Sequence, residues 1–201
     1  MLFQKLSNIK NVLVSWVASR ARHSHAKWWL FGVSFAESSF FPIPPDVLMA
    51  AILLTRERTR AFFYAWVTTV GSVLGGLFGY AIGFFFFQFV GEKLVALYHL
   101  EAQMAVVREL FIHNAFLAIF TAAFTPIPYK LFTIAAGLFG IDIFVFVTAS
   151  IVGRGMRFYA LAALMRYGGA YMAQVLYKYF NTISLLLIAI VMFFVAYLWW
   201  F

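Results

Sequence analysis

Five ionisable residues interrupt stretches of this sequence that are otherwise apolar: Glu37, Asp46, Lys130, Arg154 and Arg157. Such groups cost about 2.5–3.5 kcal/mol each in hydrocarbon on insertion scales, so each needs a partner or a task. A carboxylate takes up and releases a proton. A guanidinium matches phosphate or carboxylate through a planar fork of donors, and an ammonium supplies a compact point charge. Arg154 and Arg157 are one turn apart, so on a helix they share a face. Glu37 lies deep in its apolar stretch and has no cation near it in sequence, which makes it the candidate proton carrier. Asp46 is expected beside Lys130 as the ionised member of a pair. Lys130, Arg154 and Arg157 together form a candidate cradle for one phosphate group. Three cations against two acids leave one positive charge over, which favours an anionic ligand. The competing structural reading is that these charges only neutralise one another and pin the halves of the molecule together.

The elements that carry these residues are interrupted in two places. Trp28–Thr55 holds Glu37 and Asp46 and is broken by Pro42, Pro44 and Pro45; Ala115–Ile141 holds Lys130 and is broken by Pro126 and Pro128. Proline inside a helix removes a backbone hydrogen bond and clashes with the preceding turn. In lipid, such a break survives only when buried in protein or lining a watery cavity. Residues 28–55 and 115–141 therefore read as two re-entrant hairpins, each made of two half-helices.

A bilayer crossing needs about 20 apolar residues. Ala61–Gly91 is free of charge throughout, Ile143–Met165 is apolar apart from its two arginines, and Thr182–Phe201 ends in an aromatic Trp-Trp-Phe run. These are three expected spans. Gly71, Gly75, Gly79 and Gly83 recur every four residues and predict a smooth face for close helix packing. Residues 92–114 carry charges and spaced leucines and read as an external amphipathic segment. Residues 1–27 read as a basic amphipathic segment on the membrane surface. They do not form a cleavable signal, because Arg20, Arg22, His23 and His25 follow a short apolar run.

Composition excludes most alternatives. Of 201 residues, 65% are hydrophobic and only 11% charged, against about 25% charged in soluble domains. A soluble enzyme, a nucleic-acid-binding domain and a disordered chain are all disfavoured. The net charge of +8 reads as cytoplasmic anchoring and contact with anionic headgroups. There is no cysteine, hence no thiol or disulfide chemistry. The histidines are scattered, so no metal is expected. Neither GxSxG nor HExxH occurs, and the two aspartates, Asp46 and Asp142, do not suit a paired-Asp protease. The expectation is a non-enzymatic, all-α polytopic membrane protein without cofactors, with one membrane domain over residues 28–201.

The two broken stretches also resemble each other. Phe40-Phe41-Pro42-Ile43-Pro44 aligns with Phe124-Thr125-Pro126-Ile127-Pro128, Asp46 falls opposite Lys130, and Gly71 falls opposite Gly155, all at an offset of 84 residues. The basic N-terminus predicts a cytoplasmic start, and Arg56, Arg58 and Arg60 place the end of the first hairpin on the same side. One crossing then separates the hairpins, which makes the repeats inverted. Broken helices in inverted repeats are typical of secondary transporters.

Glu37, Pro42-x-Pro44-Pro45-Asp46, the glycine-laddered span, and Phe124-Thr125-Pro126-Ile127-Pro128-Tyr129-Lys130 followed by Ala136-Gly137 resemble the DedA family, also called VTT-domain or SNARE-associated membrane proteins, in its YqaA-like branch. The resemblance covers roughly residues 28–167. It implies an inner-membrane translocase, linked to the proton-motive force, that moves a phosphate-bearing lipid such as a polyprenyl phosphate. It also implies that Glu37 and Asp46 are the functional acids and Lys130 the matching base. The sequence departs from the family's Arg-Phe-x-Pro-x-x-Arg pattern: Ala123 stands at the first arginine and Tyr129 at the second. That departure bears on polyprenyl phosphate as the particular substrate and makes Arg154 and Arg157 the candidate replacements. Two alternatives stand beside this reading: a proton-linked exporter of small cations, and a membrane-integrity or assembly protein that transports nothing.

Overall fold

The computed structural model describes residues 25–40, 44–55, 58–97, 99, 101–125 and 127–169. Among them every regular element is helical. Helix α1 covers Ala26–Ser39 and α2 covers Pro45–Thr55. A 3-10 turn, Arg58–Arg60, leads into α3, Ala61–Phe86, whose end widens into a π-helical stretch, Phe87–Gly91. Two short helices follow, α4 (Glu92–Leu97) and α5 (Glu101–His113), then α6 (Ala115–Phe124) and α7 (Tyr129–Leu138). The last is α8, Ile143–Gly169. The expected segment 92–114 is therefore two helices, parted near His99, whose φ is 52°. Pro42, Pro126, most of the basic segment 1–27 and the expected span Thr182–Phe201 lie outside the described residues.

Proline chemistry sets the breaks. Pro45 is the first residue of α2, where its missing N–H would have had no helical partner. Asp46 follows in the first turn, where the helix dipole favours an acid. At the other break, Thr125 ends α6 with extended backbone, ψ 170°, as expected immediately before a proline. Pro128 then caps α7 with φ −61°.

The glycine ladder of α3 seats two different helices. A Cβ at Gly71 would stand 2.8 Å from the carbonyl oxygen of Phe31, and one at Gly75 would collide with that of Phe35, both on α1. Further along, Gly79 faces Thr133 and Gly83 faces the Ile134 carbonyl, both on α7. The first two glycines thus admit the first broken stretch and the last two admit the second. On α8, Gly153 plays the same part against α6, where a Cβ would lie 2.7 Å from Ala123 Cβ.

Helices α3 and α8 run antiparallel. Near one end Phe62 stacks on Tyr159 with centroids 6.0 Å apart, and the Arg166 guanidinium covers Phe62 at 5.1 Å. At the other, Tyr80 packs on Phe146 at 5.3 Å and its hydroxyl donates to the Ile141 carbonyl at 2.7 Å. Two cores result. One joins α1, α2, the start of α3 and the end of α8 through Leu30, Met49, Leu53, Phe158 and Met165. The other joins α6, α7 and the start of α8 through Ile119, Tyr129, Phe146 and Ala149.

Arg58–Phe89 and Ile143–Gly169, 32 and 27 residues long, are apolar enough to cross a bilayer. Their outward faces carry Trp66, Leu74, Phe78, Ile151 and Met156, all exposed. In water so large an apolar surface would drive association; hydrocarbon is its natural solvent.

Candidate functional site

The charged residues converge where α8 passes the first broken stretch. Arg154 Nη2 donates to Glu37 Oε2 at 3.0 Å. One turn on, Arg157 grips Asp46 with two bonds, Nη2 to Oδ2 at 2.6 Å and Nε to Oδ1 at 3.3 Å. Glu37 lies before the proline break on α1 and Asp46 after it on α2, so two arginines on one face of α8 hold both sides of the break. Arg157 reaches further: its Nη1 donates to the Thr125 carbonyl at 2.6 Å. That carbonyl ends α6 and would otherwise lack a helical partner. A single guanidinium therefore ties together the breaks of both stretches.

This differs from the sequence expectation in the partner of Asp46 and in the place of Lys130. Asp46 was expected beside Lys130; its partner is Arg157. The 84-residue alignment sets Asp46 opposite Lys130 in sequence, but the face of α8 that carries the arginines turns toward α2 and takes the acid first. Glu37, which has no cation near it in sequence, is paired across the fold with Arg154, as in the reading in which the arginines neutralise the two acids. Lys130 is half-buried and makes no ion pair among the described residues; its backbone carbonyl accepts from Thr133 Oγ1 at 2.9 Å.

Several participants went unnoticed in the sequence. Tyr129 is fully buried, lies 4.2 Å beneath the Arg154 guanidinium, and donates from its hydroxyl to Ser150 Oγ at 2.6 Å. The aromatic face offers the cation an attraction that costs no further hydration. Ser38 donates to Glu37 Oε2 at 3.1 Å and lies 2.7 Å from the Ser72 hydroxyl. Ser34 donates to the Thr68 carbonyl at 2.7 Å. The signal for these was a helical one: Ser34 and Ser38 are four apart on α1, as are Thr68 and Ser72 on α3, so hydroxyls line one seam. Arg154 Nε is buried without a hydrogen-bond partner among the described residues. A buried guanidinium N–H of that kind is an open place for an acceptor oxygen. Among the described residues no group of three or more His, Cys, Asp or Glu is placed to hold a metal.

Residues 39–167 match the VTT domain family. An uncharacterised protein of Haemophilus influenzae is 37% identical over 177 residues, spanning 87% of this chain and 91% of the relative. A second uncharacterised protein, from Histophilus somni, is 32% identical over 179 residues, spanning 87% and 92%. No solved structure matches the chain.

Proposed function

This chain belongs to the VTT-domain, or DedA, family of membrane proteins, and from that premise we propose that it is a proton-coupled translocase for a phosphate-bearing lipid or a similar amphiphilic anion. One observation carries the proposal. Arg154, buried, and Arg157, half-buried, are both occupied by carboxylates of the first broken stretch, while Arg154 Nε has no hydrogen-bond partner among the described residues. An anionic headgroup gains the guanidinium fork only by replacing a carboxylate. A carboxylate displaced into a low-dielectric site is costly unless it takes up a proton. Headgroup entry and proton uptake are thereby one exchange, with Glu37 the proton carrier and Lys130 the reserve cation for the incoming charge. Arg154 stacks on Tyr129, the residue that takes the position of the family pattern's second arginine, which supports Arg154 as its replacement.

The architecture in this reading is a pair of inverted repeats in an inner membrane, with re-entrant hairpins and a cytoplasmic N-terminus. Shifting α2 by 84 residues gives 129–139, against Tyr129–Leu138 for α7, and shifting α3 gives 145–170, against Ile143–Gly169 for α8. The packing follows the same exchange: α3 holds its own α1 and the other repeat's α7, while α8 holds its own α6 and the other repeat's α2. Arg58 stands beside Gly169 at the end of α8, which gathers Arg58, Arg60 and Arg166 at one end, as a cytoplasmic face requires. The chain lacks cysteine, so Thr59→Cys and Glu109→Cys, labelled from opposite sides of oriented vesicles, test the orientation directly.

The transport test follows leaflet exposure of a labelled lipid phosphate in proteoliposomes under an imposed pH gradient. Glu37→Gln is expected to abolish the dependence on the gradient, and Lys130→Ala to slow exchange. Equal rates for wild type and both variants would dismiss the mechanism. A second reading, a purely structural clamp, is supported by the closure of both ion pairs. It predicts that the swap Asp46→Arg with Arg157→Asp retains full cellular function, whereas a translocase, with the field at the site reversed, loses it.

A further inference from the structure

A second feature lies well away from the arginine clamp. Ser72, beside Glu37, and Phe84 are twelve residues apart on α3, about 18 Å at 1.5 Å per residue. There a crevice of about 500 Å³ opens between the π-helical end of α3, α5 and the turn after α7. That volume lies inside the range of roughly 300–1,000 Å³ typical of ligand sites. Its walls are Phe84, Phe87, Met104, Leu138 and Phe139, and its polar groups are Gln88 and Arg108. Arg108 is exposed, and its Nε donates to the Phe139 carbonyl at 3.0 Å, which holds the guanidinium at the mouth. No carboxylate among the described residues pairs with it. π-Helical turns are rare and gather at functional sites, and this one forms part of the wall.

The level of the crevice decides what fills it. The span Arg58–Phe89 has 32 residues, more than the about 20 that hydrocarbon requires, so its last turns reach headgroup depth. Phe85, Phe86 and Phe89, on the other faces of the same helix end, are exposed, so the element that walls the crevice presents a lipid-compatible surface at this level. An apolar slot at the interface, with a guanidinium at its mouth that pairs with no carboxylate among the described residues, is complementary to an amphiphile: a hydrocarbon tail inside and an anion on Arg108. We propose that this crevice is a binding site for a single alkyl chain bearing an anionic headgroup. It stands independently of whether the clamp translocates anything.

The test uses the full chain in nanodiscs of phosphatidylcholine and a dodecyl phosphate carrying a terminal diazirine, with the dodecanol analogue as the uncharged arm. After photolysis, label is expected on the peptides containing Phe84–Gln88 and Met104–Arg108. Arg108→Gln is expected to cut labelling by the phosphate probe about tenfold, the equivalent of one charge-assisted contact, and to leave the alcohol probe unchanged. Arg108→Lys should retain most of it, which separates lost charge from lost folding. Ala105→Trp, which fills the crevice from its rim, should reduce labelling by both probes. Glu37→Gln should alter neither, so failure here and failure of transport are distinguishable. Label spread evenly over the outward phenylalanines, or gathered on residues 182–201, would overturn the proposal. So would indifference to Ala105→Trp, or protection by inorganic phosphate alone, which would mark a free-anion site.

Discussion

Helices α3 and α8 occupy corresponding places and solve the same problem by opposite means. Each must hold two broken helices against its side. Helix α3 has no charge and does so by proximity: four glycines let α1 and α7 approach until carbonyl oxygens, or at Gly79 the Thr133 hydroxyl, lie where side chains would otherwise be. Helix α8 keeps one such contact, at Gly153, and holds α2 by charge, through Arg157 and Asp46. Close packing of small residues has one energy minimum and tolerates no change of partner. Ion pairs exchange partners whenever a competing ion or a proton arrives. The comparison teaches which seam is fixed by shape and which is held by exchangeable charge; in the translocase proposed above, the glycine helix is the frame and the arginine helix the part that releases.

The sharpest way to break this contrast is to remove the arginine that spans both breaks. Arg157→Met leaves Asp46 buried and unpaired and orphans the Thr125 carbonyl, so a loss of about 3–5 kcal/mol is expected, read by thermal unfolding in nanodiscs. Adding Asp46→Asn should recover much of it; no recovery would show that the ion pair is not the cause. Next comes Gly75→Ala on the fixed helix. Its methyl meets the Phe35 carbonyl, and α1 must shift, at a cost on the order of 3 kcal/mol. A neutral result would mean that the ladder is not a tight seam. Smaller is Tyr129→Phe, which keeps the ring beneath Arg154 and loses only the bond to Ser150, for about 1 kcal/mol. Smallest is Gly155→Ala. Although Gly155 aligns with Gly71, its nearest neighbour is Thr69 Cγ2 at 4.0 Å, so the change should be neutral or stabilise by up to about 1 kcal/mol through helix propensity. If Gly155→Ala cost as much as Gly75→Ala, the asymmetry between the helices would vanish.

Much of the frame was legible in the sequence because its causes are local. Proline positions marked where α1 gives way to α2 and α6 to α7. The four-residue glycine period gave the seam of α3, and apolar length gave the two long helices. Partner choice was not legible. Helical spacing put Arg154 and Arg157 on one face, yet nothing in the chain said that this face looks at α2. Asp46 was therefore assigned to Lys130, its sequence counterpart, when its partner is on α8. Tyr129 was hidden for a related reason. In the sequence it marks only a departure from the family's arginine pattern, and its role exists only once α8 lays Arg154 across its ring.

The reach of Arg157 to both Asp46 and the Thr125 carbonyl has a kinematic consequence. Two breaks that could each swing separately share one fastener, so the pair has a single collective coordinate in place of two. A conformation with one break parted and the other shut leaves a carbonyl or a carboxylate stranded in a dry environment, and is penalised for that reason. For the translocase proposed above, such a linkage disfavours intermediates, sharpens the transition between end states and makes one side chain a guard against a continuous leak across the bilayer.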